Sequence, residues 1–210
     1  MKENFAGKFI VLDGPDGCGK STQVRLLLDW LAGMGADAVS FRDPGTTRAG
    51  EKIRQILLEP SSGQLGTNVE VLLYMAARAQ LWMELLGPAL AAGKCVVIDR
   101  WLSSTCAYQG VAGGFGIERI IRMAESSLER VWPDITIVLD VDLKTSRQRL
   151  NRPLDRMESK GRAYHQKVRE GFLDLCRFFE YCRSVDGSGP VEDVHRRVRE
   201  TLVDSFCRER

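Results

Sequence analysis

The sequence predicts one α/β domain with three layers, in which a five-stranded parallel sheet is flanked by helices. Short apolar runs alternate with longer helical patterns along the 210 residues. This alternation is typical of parallel strands joined by right-handed crossovers. The strand runs are almost continuously apolar, as expected for a sheet that is covered on both faces. The chain is long enough for one domain with a substantial core, and it contains no internal repeat or linker.

Five short apolar or β-branched runs are predicted to be strands. They cover residues 8–13, 38–42, 95–99, 134–141 and 183–185. Ligands of parallel sheets bind at the carboxyl ends of the strands. The residues that follow each run are therefore the first candidates for function.

Helices are predicted wherever apolar residues recur at a spacing of three and four. They cover residues 20–34, 48–58, 67–92, 116–129, 143–150, 161–181 and 191–206. Turn-forming residues support three boundaries: residues 59–63 break the second helix, Gly93 ends the third and Pro190 precedes the last. Residues 151–160 form a polar segment between two helices.

Composition and charge argue against several classes of protein. The formal net charge is only +2, whereas nucleic-acid binders usually carry a strong basic excess. The apolar run at residues 9–12 is too short for a signal peptide or a membrane span. The six cysteines form no C-x-x-C pair, so a zinc site is not expected. We expect a cytoplasmic protein with reduced thiols that binds neither nucleic acid nor membranes.

Residues 14–21 match the phosphate-binding pattern G-x-x-x-x-G-K-[ST]. Glycines let backbone N–H groups turn around phosphate oxygens, and the following helix adds its positive end. The lysine reaches the β and γ phosphates, and the serine ligates Mg²⁺. A strand is predicted before the motif and a helix after it, which argues against a simple glycine-rich turn. The sequence therefore predicts a P-loop NTPase fold whose ATP-binding residues are Gly14, Pro15, Asp16, Gly17, Cys18, Gly19, Lys20, Ser21 and Thr22. Cys18 would be reactive if its thiolate were favoured within this loop.

The P-loop alone does not distinguish a kinase from a GTPase or a motor protein. A GTPase should carry an N-K-x-D segment that reads guanine, and this sequence has none. A motor or helicase would normally require a longer chain. These exclusions favour a kinase.

Three further groups of residues are candidates for binding. Asp99 and Arg100 end the third strand, where the carboxylate could hold a water of the Mg²⁺ shell; the alternative is a salt bridge at the strand end. Arg42 begins a charged turn after the second strand, and ordinary turn chemistry is an equal alternative. Tyr74 and Arg78 share one helix face, so the ring could stack on a base while the guanidinium donates to its carbonyls. Their alternative is a core tyrosine beside a surface arginine.

Together these segments resemble the thymidylate kinase family in its bacterial form, over nearly the whole chain. The similar segments read GPDGCGKST (14–22), RDPGTT (42–47), LLYMAARAQ (72–80), DRWLSSTCAYQG (99–110), LDV (139–141) and NRPLDRMES (151–159). Residues 164–172 resemble the helix that follows the lid in this family. The chain departs from the family's usual residues at Asp43, Thr46, Trp101 and Cys106, none of which belongs to the phosphate-binding segments.

The resemblance implies an acceptor site for dTMP. Its members would be Asp16, Arg42, Tyr74, Arg78, Arg100, Thr105, Tyr108 and Gln109. By resemblance, Tyr74 stacks on thymine, Arg78 reads a thymine carbonyl and Arg100 clamps the acceptor phosphate. Asp16 contacts the sugar, and Tyr108 leaves no room for a ribose hydroxyl.

Residues 151–160 resemble the lid that closes on ATP. Some family members place an arginine after the P-loop acid, where this chain has Gly17, so the cations for phosphoryl transfer are expected from the lid. The alternative is a solvated basic loop. The implied catalytic residues are Asp16, Lys20, Arg100, Arg149, Arg152 and Arg156. Mg²⁺ is expected at Ser21 and, through water, at Asp99.

The expected reaction is the transfer of the γ-phosphoryl group from MgATP to dTMP, within dTTP biosynthesis. The alternatives are a kinase for another nucleoside monophosphate or a deoxynucleoside, and a non-catalytic nucleotide-binding protein with this fold. The resemblance also implies a homodimer, for which the helix predicted over residues 67–92 is the candidate interface.

Overall fold

The structure, a computed structural model, describes residues 2–207. Five strands form one sheet: β1 (Phe9–Asp13), β2 (Ala38–Arg42), β3 (Cys95–Asp99), β4 (Ile135–Asp140) and β5 (Cys182–Asp186). Their order is β2-β3-β1-β4-β5, and every neighbouring pair is parallel. The predicted parallel sheet is confirmed, and each predicted strand boundary lies within one residue of the observed one.

Nine α-helices surround the sheet in the described residues. They are α1 (Lys20–Gly33), α2 (Arg48–Leu58), α3 (Thr67–Leu81), α4 (Gly87–Ala91), α5 (Leu102–Thr105), α6 (Ile117–Ser127), α7 (Leu143–Arg149), α8 (Arg162–Phe178) and α9 (Val191–Phe206). Two wider π-helical turns occur at Trp82–Leu86 and Cys106–Ala112, and 3₁₀ turns at Lys2–Phe5 and Pro60–Ser62. None of the helices within residues 2–207 is long and apolar enough to cross a membrane.

The prediction of a single helix over residues 67–92 is wrong for the middle of that range. The helix ends as α3 at Leu81, continues through a π turn and resumes as α4. Pro88 has no amide hydrogen for a helical bond, and a wider turn before it accommodates its ring. The helix predicted over residues 161–181 ends at Phe178, because Phe179 adopts an extended backbone that leads towards β5. Residues 100–115, which carry no predicted element, form α5 and the second π turn.

Both faces of the sheet are buried, because successive strand side chains point to opposite sides. One core contains Phe9, Val11, Val96, Ile98 and Val138 from the strands, together with side chains of α3, α6 and α8. The other contains Ile10, Leu12, Val97, Ile137 and Leu139, covered by α1 and α9. This is the three-layer arrangement that the apolar strands predict.

The sheet register brings the charged strand ends together. Asp99 pairs with Leu12 on one side and with Arg42 on the other. The carboxyl ends of β1, β2 and β3 therefore lie next to one another, and the loops that follow them form the candidate site.

Candidate active site

The phosphate loop connects β1 to α1, and its glycines are required sterically. Gly14 has a φ of 134° and Gly17 a φ of 75°, in a region that favours glycine. A Cβ at Gly14 would lie 2.5 Å from the carbonyl oxygen of Leu139, and one at Gly17 would lie 2.2 Å from that of Ser146. The loop therefore follows a path against β4 and α7 that a side chain would block.

Lys20 is held at the start of α1 by the loop itself. Its Nζ donates to the carbonyl oxygens of Gly14, at 3.1 Å, and Pro15, at 2.8 Å, and the residue is buried. The ammonium group thus adds a full charge to the positive end of the helix. Both favour an anion at this point.

Cys18 lies in the same loop but is 1 % exposed. Burial raises the pKa of its thiol, and the opposing influence of Lys20 and Arg100 does not reverse that effect. A buried neutral thiol is a poor nucleophile. The structure therefore argues against the reactive thiolate considered from the sequence.

Ser21 and Asp99 meet at the mouth of the loop, where the Ser21 hydroxyl donates to Asp99 Oδ2 at 2.7 Å. A hydroxyl and a carboxylate are hard oxygen ligands of the kind that Mg²⁺ prefers. The described residues contain no cluster of three or more potential metal ligands of the Asp, Glu, His or Cys type. The pair therefore fits a Mg²⁺ ion that takes its remaining ligands from phosphate oxygens and water.

Arg100 turns back over the phosphate loop. Its φ of 71° is unusual for a residue with a side chain. Its Nη1 donates to the carbonyl oxygen of Gly14 at 3.0 Å and to the Ser104 hydroxyl at 2.9 Å, and its Nη2 forms an ion pair with Asp16. Such backbone strain persists only where several contacts hold it, as they do here.

Asp16 connects the phosphate loop to a second cavity. It accepts from Arg100 and from the hydroxyl of Tyr108, the latter at 2.6 Å. Burial alone would raise the pKa of Asp16, but Arg100 and Lys20 outweigh burial and hold that pKa below its usual value. Burial, followed by the charge of Asp16, raises the pKa of Tyr108 well above its usual value. At neutral pH the pair is therefore a carboxylate and a phenol that donates to it.

Three cavities border the phosphate loop, and two of them contain most of the predicted binding residues. The larger, of about 680 Å³, extends from Lys20 and Ser21 to Gly187 and Val191 at the start of α9. The smaller, of about 90 Å³, is lined by several of the predicted acceptor-site residues, namely Asp16, Tyr74, Arg78, Arg100, Thr105, Tyr108 and Gln109. We name them the donor cavity and the acceptor cavity. Five charged residues line both: Asp16, Arg54, Arg100, Arg152 and Glu158.

The acceptor cavity is smaller than an ordinary ligand pocket, which occupies about 300 Å³ or more. Its lining includes Asp155 and Met157 from the predicted lid and Leu58 from α2. A nucleotide therefore requires these segments to move apart before it can enter.

Arg78 lies fully inside the protein and is not the surface arginine of the alternative interpretation. Its Nε donates to Asp43 Oδ2 at 2.8 Å and its Nη2 donates to the Thr105 hydroxyl at 3.0 Å. Its guanidinium carbon lies 5.2 Å from the centre of the Trp101 ring. These contacts fix the plane of the guanidinium group beside Tyr74, which also lines the acceptor cavity.

Arg42 was predicted to bind the acceptor, but the structure places it on the donor cavity. It is exposed, and its Nη2 forms an ion pair of 2.9 Å with Glu51. It lines the donor cavity and is not among the residues that line the acceptor cavity. As the last residue of β2, an edge strand, it faces the rim of the site.

The three predicted lid arginines have three different environments. Arg149 lines the donor cavity and donates to the carbonyl oxygen of Gly187 at 3.0 Å. Arg152 lines both cavities and forms an ion pair with Glu158. Arg156 lines neither; it donates to the carbonyl oxygen of Leu57 and forms a 2.6 Å ion pair with Glu70.

The structure therefore does not bring Arg156 to the phosphate loop, contrary to the prediction. Glu70 is 1 % exposed, and a buried carboxylate requires a charged partner. Arg156 supplies that charge and attaches the lid to α3.

Arg54 is a candidate residue that the sequence reasoning missed. It lies on α2, lines both cavities and donates to the carbonyl oxygen of Pro44 at 3.0 Å. A signal was present, because Arg54 lies three and four residues before Leu57 and Leu58 and so shares their inward helix face. An arginine on the apolar face of a helix beside a phosphate site is a candidate for anion binding.

Comparison with known proteins assigns the chain to a family. A family model described as thymidylate kinase matches residues 12–198. The thymidylate kinase of Exiguobacterium sibiricum is 42% identical over 98% of this chain and 99% of its own length. That of Caldanaerobacter subterraneus subsp. tengcongensis is 41% identical over 94% of this chain and 96% of its own length. The crystal structure of thymidylate kinase from Ehrlichia chaffeensis superimposes with a TM-score of 0.78 at 28% identity, over 94% of this chain and 98% of the other. The chain is a member of the thymidylate kinase family.

Proposed function

We propose that this chain transfers the γ-phosphoryl group of MgATP to dTMP, which yields ADP and dTDP for dTTP biosynthesis. The observation that carries the proposal is the junction between the two cavities. Asp16, Arg54, Arg100, Arg152 and Glu158 line both of them. Three arginines at the meeting point of the donor cavity and the acceptor cavity suit two anionic nucleotides that meet through their phosphates.

ATP binds in the donor cavity. Its β and γ phosphates lie at Lys20 and the amide groups of residues 14–22. Its base lies towards Gly187 and Val191, beside Arg149. Mg²⁺, held through Ser21 and through water by Asp99, would neutralise charge on the β and γ oxygens. ATP and dTMP are cytoplasmic metabolites, so we place the activity in the cytoplasm.

The nucleotide dTMP binds in the acceptor cavity. Tyr74 stacks on the base, and Arg78 donates to a base carbonyl. Thr105, Tyr108 and Gln109 complete the lining of this cavity. The acceptor phosphate lies at Arg100 and Arg54, next to the phosphate loop.

The chemical step joins an oxygen of the dTMP phosphate to the γ phosphorus while the bond from that phosphorus to the β-phosphate oxygen breaks. The attacking oxygen is already anionic, so no strong base is required. Charge spreads over the transferred group, and positioned cations stabilise it. Of the lid arginines, we assign this role to Arg152, because it alone lines both cavities. Arg149 lies beside the base of ATP, and Arg156 attaches the lid to α3.

An acceptor panel tests the proposal. ADP release is measured with dTMP, dUMP, dGMP, CMP and thymidine, each with MgATP. We expect dTMP to give the highest kcat/KM, and Arg100→Ala to raise the KM for dTMP more than the KM for ATP. A higher kcat/KM with another acceptor would support a different kinase. ATP binding without acceptor-dependent ADP release would support the non-catalytic alternative.

We also propose that the protein is a homodimer through α3 and the turn after it. Val69, Leu72 and Met83 are 41%, 57% and 64% exposed. Exposed apolar side chains of this kind are unfavourable in water, so they are candidates for burial in a protein–protein interface. Light scattering after gel filtration should give twice the chain mass. Leu72→Glu should give the monomer mass, and a wild-type protein that elutes at the monomer mass would contradict the proposal.

A further inference from the structure

Glu70 connects the acceptor cavity to the lid, although it does not line the cavity. It is a carboxylate with 1 % exposure on α3. Its Oε1 accepts from Arg156 at 2.6 Å and from Lys160 at 3.4 Å. Its Oε2 accepts from the side-chain amide nitrogen of Gln109 at 2.9 Å. Gln109 is itself 1 % exposed and lines the acceptor cavity beside Tyr74.

The chemistry of these groups fixes the orientation of the Gln109 amide. An isolated glutamine can exchange its oxygen and nitrogen by a half-turn. A carboxylate that forms ion pairs with two cations can only accept hydrogen bonds. The amide nitrogen of Gln109 must therefore face Glu70, and its carbonyl oxygen is the atom left to accept from another donor.

We propose that Glu70 is a positioning residue that sets the base selectivity of this site. By holding the nitrogen of Gln109, it leaves an acceptor for a base that carries a ring N3–H, as thymine and uracil do. Cytosine has an unprotonated N3 that needs a donor, so it would face an unpaired acceptor. The inference rests on the proposed function, because it names the class of base that the same cavity accepts.

The substitution Glu70→Gln should invert the Gln109 amide. A glutamine at position 70 has one oxygen, and Arg156 and Lys160, which can only donate, both require it. Its nitrogen then faces Gln109, which must turn its own oxygen towards that nitrogen. The Gln109 nitrogen becomes the atom available to the base, and it opposes the N3–H of thymine.

The test is the ratio of kcat/KM for dTMP to that for dCMP, in wild type and in Glu70→Gln. We expect the ratio to fall by roughly tenfold to a hundredfold, the usual consequence of one mismatched buried hydrogen bond. The matched control is Asp140→Asn. Asp140 is also a carboxylate that accepts two hydrogen bonds from an arginine, Arg169, but it lines neither the donor nor the acceptor cavity. Its substitution should leave the ratio within about twofold of wild type.

A double variant separates positioning from a general loss of structure. In a Gln109→Leu background no amide can invert, so Glu70→Gln should then leave the ratio unchanged. An equal fall in both backgrounds would overturn the inference, as would a wild-type ratio in the single variant.

Glu70→Asp provides a test that does not depend on the folding of Glu70→Gln. An aspartate is still only an acceptor, so the KM for dTMP should rise while the ratio is kept. A fall in the ratio of tenfold or more, roughly the loss of one hydrogen bond, would contradict the inference. Failure of the proposed function would appear separately, as a wild-type protein that releases no ADP with dTMP.

Discussion

The carboxylate of Asp43 and the guanidinium of Arg78 form an ion pair of 2.6 Å in which both side chains are 1 % exposed. The pair joins the turn after β2 to α3 and lies against the acceptor cavity. The second carboxylate oxygen of Asp43 is buried and has no hydrogen-bond partner among the described residues. The pair therefore carries a desolvation cost that serves to orient Arg78.

Removal of the Asp43 carboxylate should destabilise the protein and weaken acceptor binding. Asp43→Ala leaves Arg78 buried without a counter-charge, which costs about 3–5 kcal/mol. Urea unfolding measures this loss, and the KM for dTMP should rise while the KM for ATP changes little. Asp43→Glu is the control, because it keeps a carboxylate and should lose much less stability and much less affinity for dTMP. Equal losses in the two variants would show that the charge is not the cause.

Lys20 should be essential for turnover and unimportant for folding. Lys20→Met removes the cation that we place at the β and γ phosphates, so kcat should fall by roughly a hundredfold to a thousandfold. Steady-state ADP release measures the fall, and circular dichroism checks the fold. Lys94→Met is the control, because Lys94 pairs with Asp37 at the surface, and it should keep wild-type rates.

Substitutions at Arg152 and Arg156 should have different effects, because we assign Arg152 to catalysis and Arg156 to the attachment of the lid. Arg152→Met should lower kcat by about a hundredfold or more, because the cation over the transferred group is lost. Arg156→Met should lower the free energy of unfolding by about 3–5 kcal/mol, because Glu70 loses its closest cation. Parallel unfolding and kinetic measurements check both. A larger loss of kcat in Arg156→Met than in Arg152→Met would reverse our assignment of the two residues.

Asp16 should make stability depend on pH in the acid range. The pKa of Asp16 is lower in the folded protein than its usual value. The ionised form therefore stabilises the fold at neutral pH, and this stabilisation is lost as the pH falls below about 4 through the lowered pKa. Asp16→Asn should be less stable than wild type at pH 7, and the difference in unfolding free energy should shrink at pH 3.5. A difference that is the same at both pH values would contradict the assigned pKa shift.

The sheet and the phosphate loop follow from local sequence patterns, whereas the acceptor site was expected from the resemblance to a family. Strand runs such as residues 95–99 are buried on both faces. The glycines within residues 14–19, followed by a lysine and a helix, are typical of a phosphate-binding loop. These features depend on neighbours in the chain, so a single sequence is sufficient to predict them.

Contacts between distant segments could not be predicted in the same way. Arg156 follows the lid pattern, but its partner Glu70 lies 86 residues earlier in the chain. Arg54 faces the site only because α2 packs its apolar side towards the protein interior. The interruption of the helix predicted over residues 67–92 is a different case, because Pro88 is a local signal for it that the apolar spacing alone does not include.

The most direct test of the central claim uses a bisubstrate compound in which adenosine and thymidine are joined by a five-phosphate chain. If donor and acceptor meet through their phosphates at Arg54, Arg100 and Arg152, one molecule should occupy both cavities. Calorimetry should then give one molecule bound per chain, with an affinity higher than that of either nucleotide, and competition with both ATP and dTMP. A compound that competes with ATP but leaves dTMP binding unchanged would contradict the claim.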